Sequence, residues 1–279
     1  MSLHVRIQPV DCINGDLYLN LIMITLLSPA KKLSIQCNAM GYTQTQCAFL
    51  DQSREIVNIL KKFDPIDLQN LMGISENLSF LNFERFKNWR LPFSTESARQ
   101  AIFSFMGDTY VGLDAGTFTN KNLQFAQDNT RILSGLYGLL RPMDLIMQYR
   151  LEMGTKLKTN KGAYLHNFWS TFISKSLNDE LVSHEKSIII NCASVEYFKA
   201  VNTKTLRAKV VTPVFKEIRN GKPKVISFFA KRSRGAMARY IITNQINDID
   251  GITSFDLDNY SYNKSLSSRY EPVFTRYSA

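Results

Sequence analysis

Between Lys199 and Arg239 the chain places twelve basic residues against a single acid, Glu217. That net +11 exceeds the +10 of the whole 279-residue chain, so everything outside this segment sums to −1. Like charges at such density repel one another, so this segment must fold with most of its charged side chains reaching water or an anion. Two readings follow: a surface for a polyanion, or a solvated strand edge whose lysines and arginines resist aggregation.

The local pattern says which elements carry these charges. Lys209–Phe215 and Lys224–Phe229 alternate as strands, and Asn220-Gly221 between them is a strong hairpin signal. Residues 231–246 follow as a helix with Met237, Tyr240 and Ile241 on its core face. On this reading Lys231, Arg232 and Arg234 occupy the helix's first turn, where cations oppose the dipole unless an anion is present. A basic hairpin beside a helix start is a phosphate-tracking surface.

Elsewhere, Ile24–Leu27 reads as a buried strand closed by Ser28-Pro29, which either starts a helix or forms a loop. Residues 49–62 are predicted helical and broken by Asp64-Pro65, with a second helix over Ile66–Met72. Further helices are expected over residues 94–106, 120–133 and 164–182, with a turn-rich stretch at Gly107, Gly112 and Gly116. Ser187–Ala193 is a β-branched apolar run, hence a buried strand, with Ser194 as cap of a helix toward Val201, and Val273–Thr275 is a last short strand. No regular βαβ rhythm emerges, so the expected class is α+β, one compact domain with a mixed sheet wrapped by helices.

Composition removes several function classes. The apolar run Leu17–Leu27 is about half the length a membrane span needs, and no signal-peptide pattern precedes it, so the cytoplasm is the default. Cys12, Cys37, Cys47 and Cys192 lie far apart with no CxxC pair, the pattern of reduced thiols. Three histidines, His4, His166 and His184, show no helical pairing, so a zinc or thiolate iron site is unsupported; no ligand pattern points to a carboxylate-bound hard metal, and no metal or cofactor is expected. Glycine-rich nucleotide fingerprints, the GxSxG elbow and the HExxH pair are all missing, which disfavours a common kinase or hydrolase.

Some motifs do carry chemistry. Ser134-Gly135-Leu136-Tyr137-Gly138, followed by Leu139-Leu140-Arg141-Pro142, brackets a short turn with two glycines. Such a turn either exposes backbone N–H groups to phosphate, as in helix-hairpin-helix modules, or is an ordinary glycine-capped turn. The module usually separates its glycines by one residue, and here two intervene. Lys31 after Ser28-Pro29-Ala30 sits past a strand end, where ligands bind, or is a plain surface lysine. Arg150-Leu151-Glu152 is an ion pair or a site, and His166 beside Phe168 and Trp169 reads as a packed helix residue. Asn191, Ser194, Glu196, Tyr197 and Lys199 gather at a strand-to-helix junction, although Glu196 and Lys199 also suit a simple i,i+3 pair.

The stretches Leu26–Lys31, Leu133–Leu145, Tyr149–Gly154, Ala193–Lys199, Pro213–Phe215 and Ala230–Gly235 together closely resemble the YaaA family. The likeness is collinear from Met23 to Tyr277, leaving residues 1–22 as an N-terminal extension, residues 23–279 as the family-like domain and Met23 as a candidate alternative start. The resemblance implies resistance to hydrogen peroxide through limitation of iron-driven damage to DNA. It also implies a compact α+β body with a positively charged cleft and a helix-hairpin-helix-like element.

Together these readings predict DNA binding without strong sequence preference, duplex or distorted. The expected contacts are Lys31, Gly135, Tyr137, Gly138, Arg141, Lys199, Lys231, Arg232, Arg234 and Arg239, with Tyr137 stacking on an unpaired base. The alternative is an enzyme acting on a nucleotide or other anionic small molecule, in a pocket of Ser28, Lys31, Arg150, Asn191, Ser194 and Glu196. A deep pocket would favour the second reading and a long open basic groove the first.

Overall fold

The computed structural model describes residues 23–34, 43–181 and 187–277. The N-terminal extension with His4 and Cys12, and also Cys37 and His184, lie outside the described residues.

The apolar runs at Met23–Leu27 and Ile188–Asn191 do form strands, and they are neighbours. The central sheet runs Gly138–Leu140, Thr130–Ser134, Met23–Leu27, Ile188–Asn191, Lys209–Val211. The first two strands are antiparallel and the remaining pairs parallel, with Leu27 opposite Ile132 and Ile24 opposite Ile189. Every residue of the three middle strands is buried, because helices cover both faces of a parallel sheet. The expected class holds: a single α+β domain whose mixed sheets are wrapped by helices.

A second sheet orders Lys222–Lys224, Val214–Arg219, Val273–Tyr277 and Ser261–Tyr262. Its hairpin turns at Asn220 and Gly221, with φ of 49° and 70°, the left-handed pair that Asn-Gly supplies at low cost. Phe215, Phe255, Tyr260 and Phe274 pack edge-on and stacked behind it. The lone acid of the basic segment, Glu217, is only 1% exposed, where Arg276 donates to it at 2.8 Å and Tyr260 adds a hydroxyl. Arg276 lies over the Tyr260 and Phe229 rings, so the pair is held in an aromatic box.

Several local expectations give way to tertiary context. The helix read over residues 120–133 ends at Asn129, and Thr130–Ser134 pairs with Met23–Leu27 as a strand. Its Leu133 and Thr130 keep helical spacing with Leu123 and Ala126, but sheet pairing outweighs that periodicity. Residues 94–106 resolve into two-residue strands at Arg99–Gln100 and Phe105–Met106 around one helical turn, Ala101–Ser104. Asp108–Leu113 is a helix where turns were expected, and Glu76–Asn88 is a helix that the periodicity did not reveal. The helix Leu50–Leu60 stops short of Asp64, which caps the next one, accepting from the Asp67 N–H at 2.8 Å with Pro65 in the first turn.

The most consequential shift concerns the basic helix. The hairpin's second strand stops at Lys224 and the helix spans Ser227–Asn244, so Lys231, Arg232 and Arg234 lie beyond its first turn. The dipole argument for an anion there therefore lapses. The helix is placed instead by glycine. A Cβ on Gly235 would meet the Thr109 carbonyl oxygen at 1.7 Å, and one on Gly112 would meet the Arg232 carbonyl oxygen at 2.0 Å. Two glycines thus let the Asp108–Leu113 and Ser227–Asn244 helices cross backbone to backbone.

Candidate functional site

Three sequence-distant pieces meet at the carboxyl ends of the two central parallel strands. The loop after Met23–Leu27 brings Ser28 and Lys31, and the loop after Ile188–Asn191 brings Cys192, Ser194 and Glu196. The glycine-seated helix brings Lys231 and Arg234 over them. They line a cleft of about 710 Å³, which Glu152, Tyr110, Tyr197, Met106 and Val225 complete. Crevices outside the carboxyl ends of parallel strands are where open sheets bind ligands.

Hydrogen bonds hold this junction in one shape. The Ser194 N–H donates to Ser28 Oγ at 2.8 Å, Ser28 Oγ donates to Ser194 Oγ at 3.3 Å, and the Tyr110 hydroxyl donates to the Ser28 carbonyl at 3.1 Å. Asn191 turns the chain out of its strand by accepting from the Ala193 N–H at 3.1 Å. One wall pairs carboxylates with donors: Lys31 Nζ lies 2.9 Å from Glu152 Oε2, Arg150 3.4 Å from Oε1, and Glu196 accepts from the Gly154 N–H at 3.1 Å.

Arg234 differs from its neighbours. Among the described residues no carboxylate pairs with it and no acceptor hydrogen-bonds it, although burial lowers its affinity for the proton. A desolvated, unpaired guanidinium lining a cleft is a charge in want of an anion. Burial also pushes the nearby Cys192 thiol up to about 12, against the opposing pull of Arg234, so this sulfur is no thiolate nucleophile at neutral pH. Burial raises the Tyr110 and Tyr197 hydroxyls well above their ordinary value, and both stay neutral donors.

Of the expected site residues, the cleft gathers Ser28, Lys31, Ser194, Glu196, Lys231 and Arg234. Arg150 stands behind Glu152 with its Nε buried and unpartnered, and Asn191 is buried beneath the junction. Arg232 pairs with Asp258 at 3.3 Å, while Arg239 reaches Thr117 Oγ1 at 2.7 Å and the Asp114 carbonyl at 3.0 Å. These two arginines hold the helix in place. Lys199 is exposed outside the cleft, and Arg141 pairs with Asp144 at 3.3 Å.

The glycine turn is a correction. Ser134–Gly138 joins two antiparallel strands in place of two helices, and all five residues are buried. A Cβ on Gly135 would strike the Leu151 carbonyl oxygen at 2.3 Å, and Gly138, at φ 71°, packs on the Trp169 ring. Tyr137 is 0% exposed, its hydroxyl engaged by Trp89 Nε1 and the Met147 backbone. Neither the amides nor the ring reach an external strand, because the turn closes the core. The sequence reading also missed Tyr110: its glycine-marked stretch was read as turns, and no local signal ties it to Ser28, 82 residues away.

Among the described residues no helix is long and apolar enough to cross a membrane, and no three His, Cys, Asp or Glu side chains gather as a metal site. Residues 23–266 match a family model described as "Peroxide stress protein YaaA". Relatives described as "UPF0246 protein" are 47% identical in Saccharophagus degradans, 47% in Shewanella oneidensis and 48% in Hahella chejuensis, each over 254 residues, 91% of this chain and 99% of the relative.

Proposed function

Since the chain belongs to the peroxide stress protein YaaA family, we propose that it serves as a cytoplasmic peroxide-stress protein that binds DNA without strong sequence preference, limiting iron-driven oxidative damage. The observation that carries this reading is Arg234, a half-buried guanidinium in the cleft with no acidic partner among the described residues. A guanidinium fork binds phosphate oxygens bidentately. Exposed Lys231 lies three residues before it on the cleft wall, and exposed Lys222 and Lys224 precede Val225, which also lines the cleft. The basic hairpin therefore leads into the cleft, a track for successive phosphates.

The charge that distinguishes the segment is thus sorted. Arg232 and Arg239 already have structural partners, so of the cations in or beside the cleft we assign Lys222, Lys224, Lys231 and Arg234 to phosphate. Backbone contacts of this kind supply affinity and little base discrimination. The iron connection comes with the family, since no metal-holding cluster exists among the described residues.

The test is fluorescence anisotropy of labelled duplex, bubble and single-stranded DNA across a salt series. Binding should weaken with salt at a log–log slope of about −0.9 per phosphate contacted on duplex. Arg234→Gln with Lys231→Gln should weaken all three DNAs about tenfold or more and flatten that slope, whereas Arg141→Gln should leave it alone. Absence of binding even at low salt would sink the reading.

A further inference from the structure

We infer that the cleft takes one nucleotide unit at a time, its phosphate on Arg234 and Lys231 and its base and sugar within the cleft; the inference rests on the reading that these cations meet phosphate. Three features narrow the ligand. The cleft encloses about 710 Å³, inside the range that buries a molecule of nucleotide size and far more than an inorganic anion needs. Its lining combines free cations with carboxylate acceptors. The cations Lys231 and Arg234 come from the Ser227–Asn244 helix, whereas Glu152 and Glu196 come from the loop after Tyr149 and the turn after Ser194.

A bare anion gains nothing from carboxylates in its site. A nucleotide does, because ribose hydroxyls and exocyclic amines are donors that a carboxylate accepts. Glu152 and Glu196 are themselves steadied by Lys31 and the Gly154 N–H, so they are positioned acceptors. Third, apolar side chains stand exposed where the cleft opens: Met106 at 43%, Val225 at 56% and Val195 at 75%. Exposed apolar groups beside a charged cleft suit the flat face of a base. A duplex cannot enter such a site, but a nucleotide turned out of its strand can, as can a free one.

Isothermal titration of the full chain with deoxyadenosine monophosphate, deoxyadenosine and inorganic phosphate separates these contributions. The monophosphate should bind at least about tenfold more tightly than either fragment, and Arg234→Gln should remove about tenfold or more of that affinity. Lys222→Glu/Lys224→Glu, outside the cleft proper, should weaken DNA and leave the monophosphate unchanged. Lys231→Gln, at an exposed position, gives an independent variant should Arg234→Gln fold poorly. Failure of the monophosphate to bind at millimolar concentration while DNA binds would overturn the inference and leave the DNA reading standing. Inorganic phosphate binding as tightly as the nucleotide would also overturn it. Monophosphate binding without DNA binding would uphold it and remove the DNA reading. Once the monophosphate binds, its displacement of bubble DNA identifies an extruded nucleotide as the source, and its indifference to bubble DNA identifies a free one.

Discussion

Ser28 Oγ accepts the backbone N–H of Ser194 at 2.8 Å across 166 residues of sequence, stitching together the loops that leave two adjacent parallel strands. Ser28→Ala strands that amide in a part-buried site, at a cost of about 1–3 kcal/mol. A urea melt should show a lower midpoint at unchanged slope. Anisotropy on the same variant should show weaker DNA binding, since the loop carrying Ser194 loses its anchor.

The helix crossing at Gly112 and Gly235 tolerates no side chain. Gly235→Ala places a methyl group against the Thr109 carbonyl and forces the helices apart. The expected loss is about 1–3 kcal/mol or more, with DNA affinity falling too because Arg234 moves with the helix. Denaturant unfolding and anisotropy read the two effects separately. Gly116→Ala, with no atom within 4 Å of its built Cβ, is the matched control.

Tyr137→Phe tests the correction to the glycine turn. It removes an acceptor for Trp89 Nε1 at 3.2 Å and the Met147 N–H at 3.1 Å, so stability should fall by about 1–3 kcal/mol. DNA affinity should not change. A selective loss of affinity for bubble or single-stranded DNA, with stability intact, would restore a stacking role.

Arg239 and Arg234 should part company in the same two assays. Arg239→Gln loses bonds to Leu113 and Asp114 carbonyls and to Thr117, so thermal unfolding should come earlier by several degrees. Arg234→Gln breaks no bond among the described residues and relieves a desolvated charge, so its melting temperature should hold or rise. Its DNA affinity should be the lower of the two.

His166 supplies a pH signature. Burial first, and the Lys199 charge second, hold its imidazolium below the ordinary value near 6.5. As pH falls through that value the unfolded chain takes up the proton before the folded one. Stability is therefore full above about 6.5 and declines on acidification until the folded imidazole is protonated as well. His166→Gln should flatten that slope in urea melts taken between pH 7 and pH 5. Lys199→Gln should move the His166 titration, followed by NMR, upward.

What the sequence determined by itself is what depends on a few adjacent residues. The apolar runs at Met23–Leu27 and Ile188–Asn191 read as buried strands, Asn220-Gly221 could turn a hairpin at little cost, and Asp64-Pro65 marked a boundary between helices. The surplus of positive charge was visible in the same way, as was the gathering of Ser28, Lys31, Ser194 and Glu196 near strand ends.

Only the tertiary structure decided which cations are free. Arg232, Arg234 and Arg239 lie on one helix and look alike in sequence, yet Asp258 and Asp114 reach the first and last and, among the described residues, no acid reaches the middle one. Only the tertiary structure made Thr130–Ser134 a strand and drew the Ser134–Gly138 turn into the core. The reason is one of range. Periodicity and turn chemistry act over a few residues, whereas the partner of a charge or a buried polar atom comes from wherever the fold brings another segment, 166 residues distant for Ser28 and Ser194.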